Sequence, residues 1–193
     1  MTNKQNTTLS DQIANLEFFD KVPNVDVPLS ATGLGISKWD FRFLRLAREW
    51  ARNSKDPSTK VGAALVSPDK LRVALGYNGF PRDMPDDAAL YLNREEKYSR
   101  IIHAEKNAKN NALRMGIMDL TGWTIYVWPL ASCDRCFIEI ADSGVQRFVS
   151  PILSPELQER WAPILMKTKK YAIEMGRTID EVNFPTTFPK ESE

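Results

Sequence analysis

Trp123-Thr124-Ile125-Tyr126-Val127-Trp128-Pro129-Leu130-Ala131-Ser132-Cys133-Asp134-Arg135-Cys136 is the stretch from which the chain is best read. Its first six residues are apolar on both faces, the pattern of a strand buried in the middle of a sheet. A helix starts near Cys133 and carries Phe137 and Ile140 inward on the same side as Cys136. A buried strand leading into a helix is the repeating unit of an α/β fold. The partner segment lies upstream at His103-Ala104-Glu105, where a second helix opens. The chain has one histidine and two cysteines, and all three fall inside these two segments. Zinc prefers imidazole and thiolate, and a catalytic zinc takes three protein ligands and leaves a fourth position for water. His103, Cys133 and Cys136 supply that set with nothing left over.

Each feature alone has a plainer reading. A lone histidine is usually a polar side chain with a partner, two cysteines three apart can face a core, and a C-x-x-C can be a redox pair. A structural zinc finger needs four ligands, and only three soft donors exist here. Taken together, with Glu105 two residues from His103, the set points to catalytic zinc.

Composition bounds the rest. The 193 residues suit one ordinary domain, with 42% hydrophobic and 26% charged residues and a net charge of +1. That charge leaves no broad basic surface for tracking a nucleic-acid backbone. No apolar run reaches membrane-span length, and the polar start Met1-Thr2-Asn3-Lys4-Gln5 lacks a signal-peptide centre. Cysteines committed to a metal imply a reducing compartment, so the expected location is the cytoplasm.

Residues 1–36 show no sustained period and read as an extension with at most a short helix near 11–19; residues 37–193 read as the domain. Ser37 and Asp40 resemble a capping box, followed by Phe43, Leu44, Ala47, Trp50 and Ala51 at helical spacing. Strands are expected over about 61–66 and 72–77, with the glycines of Gly76-Tyr77-Asn78-Gly79 admitting a backbone close to a ligand. Residues 81–100 form a polar insertion, either a lid over the site or a solvated loop with a helical piece. The helix from His103 to about Arg114 has a narrow Ala104/Ala108/Ala112 face that can pack close to a sheet. A strand over 145–149 precedes a long helix capped by Ser154-Pro155, with a stripe of Leu157, Trp161, Leu165, Ala172 and Met175 read as core. Pro163 is expected to kink or divide that helix. This order of elements implies an α/β sandwich.

The blocks Ser54-Lys55-Asp56-Pro57-Ser58-Thr59-Lys60-Val61-Gly62-Ala63, Gly76-Tyr77-Asn78-Gly79-Phe80-Pro81, Lys97-Tyr98, His103-Ala104-Glu105 and the C-x-x-C resemble the cytidine deaminase superfamily. More narrowly, they resemble the deoxycytidylate (dCMP) deaminases of bacteria and their phages over roughly residues 38–150. The H-x-E and C-x-x-C pattern is that of zinc-dependent base deaminases, in which the Glu is the acid/base and not a ligand. The resemblance implies a three-layer α/β/α sandwich with a central mixed sheet, and hydrolysis of dCMP to dUMP and ammonia for thymidylate synthesis. It implies Zn2+ on His103, Cys133 and Cys136, and Glu105 carrying protons from water to ring N3 and the leaving amine. Asn78 would meet the sugar hydroxyl, Val61 and Ala104 would line the base, and the Ala131 carbonyl would accept from the departing amine. Ser54 and Lys55 lie in the block resembling the phosphate-side loop, with Lys97, Arg100 and Arg52 as alternatives. A deoxynucleoside triphosphate effector and a homo-oligomer, a hexamer by likeness, also follow; apolar residues such as Trp39 and Trp123 are the sequence's own hint of the latter. One departure stands out: Ser132 occupies the place of the usual proline before the first cysteine, where it is expected to cap the helix instead. With no spare His or Cys, no second structural zinc is expected. Competing readings are a deaminase taking dCTP or a modified dCMP, a cytidine deaminase, a nucleic-acid base deaminase and an inactive zinc-binding homologue.

Overall fold

The computed structural model describes residues 35–188, so residues 1–34 of the expected extension, with any short helix near 11–19, lie outside the described residues. Five strands, β1 (Gly62–Val66), β2 (Val73–Tyr77), β3 (Thr124–Trp128), β4 (Arg147–Pro151) and β5 (Thr178–Val182), form one mixed sheet in the order β2-β1-β3-β4-β5. β1 is antiparallel to β2 and β3, whereas β3, β4 and β5 run parallel. The helices are α1 (Lys38–Ala51), α2 (Ala88–Leu92), α3 (Arg94–Arg100), α4 (Ala104–Arg114), α5 (Asp134–Asp142) and α6 (Pro155–Glu174).

Strand alternation builds a core on each face of the sheet. Ala63 and Leu65 of β1 join α4, α5 and Ala172 of α6 on one side, while Ala64 and Val66 join α1, Tyr126 and Trp128 on the other. This is the expected three-layer α/β/α sandwich. Glycine sets how closely the layers meet. A Cβ on Gly62 would stand 1.9 Å from the Ala47 carbonyl oxygen of α1, and one on Gly76 would stand 2.3 Å from the Ala108 nitrogen of α4. Gly76 therefore admits a helix, not a ligand as its loop context suggested. The alanine face of α4 (Ala104, Ala108, Ala112), fully buried, is what passes so near.

Three readings need correction. Trp50 is 38% exposed, so the buried face of α1 is Phe43, Leu44, Ala47 and Ala51. α6 is not divided at Pro163, and of its expected core stripe only Ala172 is buried. Trp123 is buried in the core at 2% exposure and offers no surface for assembly. β5 was not anticipated, because Thr178-Ile179-Asp180-Glu181-Val182 places an acid at its centre. That acid is buried and paired: Arg147 Nε of the neighbouring β4 lies 2.6 Å from Asp180 Oδ2, and its Nη1 reaches Asp40 Oδ1 of α1 at 2.5 Å. Among the described residues no helix is long and apolar enough to cross a membrane.

Candidate active site

α4 and α5 start at His103 and Cys133, each the N-cap of its helix. Because Gly76 draws α4 onto β2 and Phe137 seats α5 in the same core, the two N-termini come together. Glu139 of α5 straps the helices on the outside, 2.7 Å from Lys106 Nζ and 3.4 Å from Lys109 Nζ, though half-exposed pairs of this kind contribute little. His103 Nδ1 lies 3.3 Å from Cys136 Sγ and 3.7 Å from Cys133 Sγ, and one ligand atom from each residue falls within 4.8 Å of the others. Zinc–sulfur and zinc–nitrogen bonds of about 2.3 and 2.0 Å at a tetrahedral angle place N and S roughly 3.5 Å apart. The observed separations bracket that value, so the donor set fits zinc in both chemistry and spacing.

The cysteines share a proton. The Cys136 thiol and His103 pull Cys133 down to about 4, while donation to Cys133 and burial push Cys136 up. A dication held by the three residues would displace that proton. Glu105, in the first turn of α4, is 3% exposed; its burial raises its pKa above the ordinary carboxylate value, with His103 opposing and Cys133 adding to the rise. Such a group can hold and release a proton nearer neutrality.

His103, Glu105 and Cys133 open into a cavity of about 300 Å³. That is the lower end of small-molecule sites, matched to a single compact ligand. Val61, Ala104, Ala131 and Asn78 line the same cavity, so the structure brings these predicted residues together with Glu105. Ser54 and Lys55 do not line it. The Ser54 hydroxyl is buried and donates to the Asn78 carbonyl at 2.8 Å, while exposed Lys55 pairs with Asp86 at 2.9 Å. The insertion is a built wall rather than a solvated loop: Tyr91, Lys97 and Tyr98 face the cavity, Tyr91 stacks on Phe80, and the Tyr91 hydroxyl donates to Asp86 at 2.7 Å.

Ser132 does not cap α5. Cys133 takes that place, its Sγ accepting from the Cys136 N–H at 3.5 Å, because the residue with extended backbone before the first turn is Cys133 itself. The Ser132 hydroxyl is buried and lies close enough to Glu105 to favour its ionised form, against the effect of burial. It faces a separate small void of about 20 Å³, room for one water, together with the unpartnered Ser150 hydroxyl. The Ser132 carbonyl is anchored by Thr168 Oγ1 of α6 at 3.3 Å.

Residues 37–151 match the cytidine and deoxycytidylate deaminase zinc-binding region. The chain belongs to this deaminase family. The deaminase is 36% identical over 126 residues to a protein of Aliivibrio fischeri described as an uncharacterized deaminase in the luxG 3′ region, covering 65% of this chain and 81% of that one. To the deoxycytidylate deaminase of Mus musculus it is 34% identical over 120 residues, covering 58% of this chain and 64% of the mouse protein. Its fold is that of the dCMP deaminase of cyanophage S-TIM5, solved with dCMP and dUMP. The TM-score is 0.60 at 18% identity, over 77% of this chain and all of the phage one. The deaminase is thus a zinc-dependent hydrolase by family, and its His/Cys/Cys cluster fits the metal.

Cavity residues that sequence reasoning missed include Arg94 of the insertion and residues from two further places. Asp56, Ser58 and Thr59 sit inside a recognised block, but nothing in their spacing says which of them turns inward. Arg160 and Trp161 come from α6, beyond the matched region, and Trp161 read as one more apolar residue of a helix stripe.

Proposed function

We propose that the protein is a deoxycytidylate deaminase, converting dCMP and water to dUMP and ammonia. The observation that carries this reading is the buried Glu105, its proton affinity raised, standing beside the His103/Cys133/Cys136 cluster at one end of a nucleotide-sized cavity. His103, Cys133 and Cys136 would hold zinc, which when bound would lower the pKa of a water toward neutrality and so supply a nucleophile. Glu105 manages the protons. The water oxygen bonds to C4 and one of its protons goes to ring N3; the other goes to the amine, which departs as ammonia when the C4–N bond breaks. Val61 and Ala104 form an apolar wall suited to the base, and the Ala131 carbonyl is the acceptor for the departing amine. Asn78 Oδ1 accepts the Val61 N–H at 2.7 Å and has a second lone pair for a sugar hydroxyl.

For the phosphate, Arg94 and Arg160 replace Ser54 and Lys55 as the favoured ligands. Both line the cavity, and neither takes part in an ion pair among the described residues. Lys97 also lines it but is neutralised by Asp56 at 2.7 Å. Two unneutralised arginines also favour a second reading, acceptance of dCTP, because they leave charge for a longer phosphate chain.

The decisive experiment incubates purified zinc-loaded protein with dCMP, dCTP, CMP, deoxycytidine and short cytosine oligonucleotides, reading ammonia and product mass. The proposal requires dCMP to have the highest kcat/KM and the oligonucleotides to be inert. Comparable values for deoxycytidine and dCMP would remove the phosphate site. A cytoplasmic role supplying dUMP for thymidylate synthesis, a homo-hexamer and a deoxynucleoside triphosphate effector belong to the same proposal. Sedimentation with and without dCTP tests the last two.

A further inference from the structure

The cavity wall that carries Asn78 contains a buried ion pair that the chemistry above leaves unused. Lys97 Nζ lies 2.8 Å from Asp56 Oδ1 and 2.7 Å from Oδ2, with the side chains 10% and 2% exposed. Burying both charges costs several kcal/mol, and an apolar pair of similar shape can serve packing equally well. The remaining bonds of Asp56 show what the charge does. Oδ1 accepts the Ser58 N–H at 2.8 Å and the Thr59 N–H at 3.3 Å, and Oδ2 accepts Asn78 Nδ2 at 3.2 Å. Asn78 Nδ2 also donates to the Thr59 carbonyl at 2.9 Å. Both amide protons are thereby committed, the amide cannot flip, and the open position on the side chain is the second lone pair of Oδ1. Asp56, Asn78 and Lys97 all line the cavity.

We infer that Asp56 and Lys97 are a positioning pair for substrate: they lock the Asn78 amide with Oδ1 as the acceptor, and tie the 81–100 insertion to the same point. This rests on the dCMP reading, in which Asn78 meets the sugar. The pair spans 41 residues of sequence, and Lys97 brings with it α3 and Tyr98, a second cavity wall. A neutral side chain at 56 cannot do the same work. An asparagine there offers either an N–H to the Asn78 amide or an N–H to the Ser58 and Thr59 amides, and loses one set of bonds. Lys97 acts through Asn78 and not on the phosphate, since its charge is already matched.

The test measures kcat and KM for dCMP and deoxycytidine, zinc content and thermal midpoint in wild type, Lys97→Met, Lys97→Arg and the double variant Asp56→Asn/Lys97→Met. Where deoxycytidine binds without turnover, its Ki against dCMP serves. Lys97→Met should raise KM about tenfold for both compounds, the worth of one misaligned hydrogen bond, with kcat and zinc little changed. Lys97→Arg should recover most of that loss. Lys97→Met leaves a buried carboxylate unpaired and will lower the thermal midpoint. The double variant carries no unpaired charge and should regain the midpoint while keeping the raised KM. A double variant with wild-type KM overturns the inference, as does a KM rise confined to dCMP, which would make Lys97 a phosphate ligand. Absence of turnover by the wild type overturns the dCMP reading itself, and this role with it.

Discussion

Gly76→Ala tests whether the spacing between β2 and α4 sets the active site. The added methyl would stand 2.3 Å from the Ala108 nitrogen and 2.4 Å from the Ala104 oxygen, where ordinary contact begins at 3.4 Å. Both neighbours are helix backbone, and the facing side chains are alanines with nothing to rotate away. α4 must therefore retreat by about 1 Å, at a cost of about 1–3 kcal/mol for an overpacked core. In a domain of this size that lowers the thermal midpoint by roughly 3–10 °C. α4 opens at His103 and carries Glu105 in its first turn, and a displacement of about 1 Å in a reacting group lowers turnover by about 100-fold. The variant should fold, melt several degrees early, turn over dCMP about 100-fold more slowly, and lose zinc faster to a chelator. Stopped assays of ammonia release, calorimetry and chelator competition read these quantities. An early melt with wild-type kcat and zinc retention would refute the reasoning, because α4 would then have moved without moving the chemistry.

Glu105→Gln should keep the zinc and the fold but reduce kcat by about 10³-fold or more, since the amide cannot accept and return a proton; metal analysis beside kinetics checks it. Replacing Arg94 and Arg160 together by alanine should raise KM for dCMP by about 10- to 100-fold and leave that for deoxycytidine unchanged. Asp40 gives a pH signature. Burial opposes its ionisation, but hydrogen bonds from Arg147, the Ser37 backbone and Tyr126 prevail and hold its pKa below the usual 3.8. A depressed folded-state value stabilises the protein above the unfolded pKa, and that stabilisation is lost as pH falls through the folded one. The stability penalty of Asp40→Asn should accordingly be full above about pH 4 and shrink below it, as urea titrations of both proteins will show.

The chemistry of the site is legible in the chain because rare residues carry it. One His and two Cys leave a single way to assemble three soft ligands, and a Glu two positions from the His marks the proposed acid/base. The layered fold is legible for a similar reason: strand and helix periods are local, and the apolar run before the C-x-x-C and the alanine face after His103 each declare their side of the sheet. Contacts between distant segments carry no such local mark. β5 is hidden because its central Asp180 is acceptable only beside Arg147, 33 residues away. Gly76 serves α4 and not a ligand, a fact that depends on where the helix docks. Lys55 and Lys97 are both lysines in recognised blocks, yet one pairs at the surface with Asp86 and the other is buried on Asp56. Trp161 follows a helical period like any core residue, but α6 leaves it half-buried at the cavity. Periodicity specifies which face a residue occupies within its own element. Which neighbour that face meets, and so whether a charge is free to bind substrate, is decided only when the elements pack.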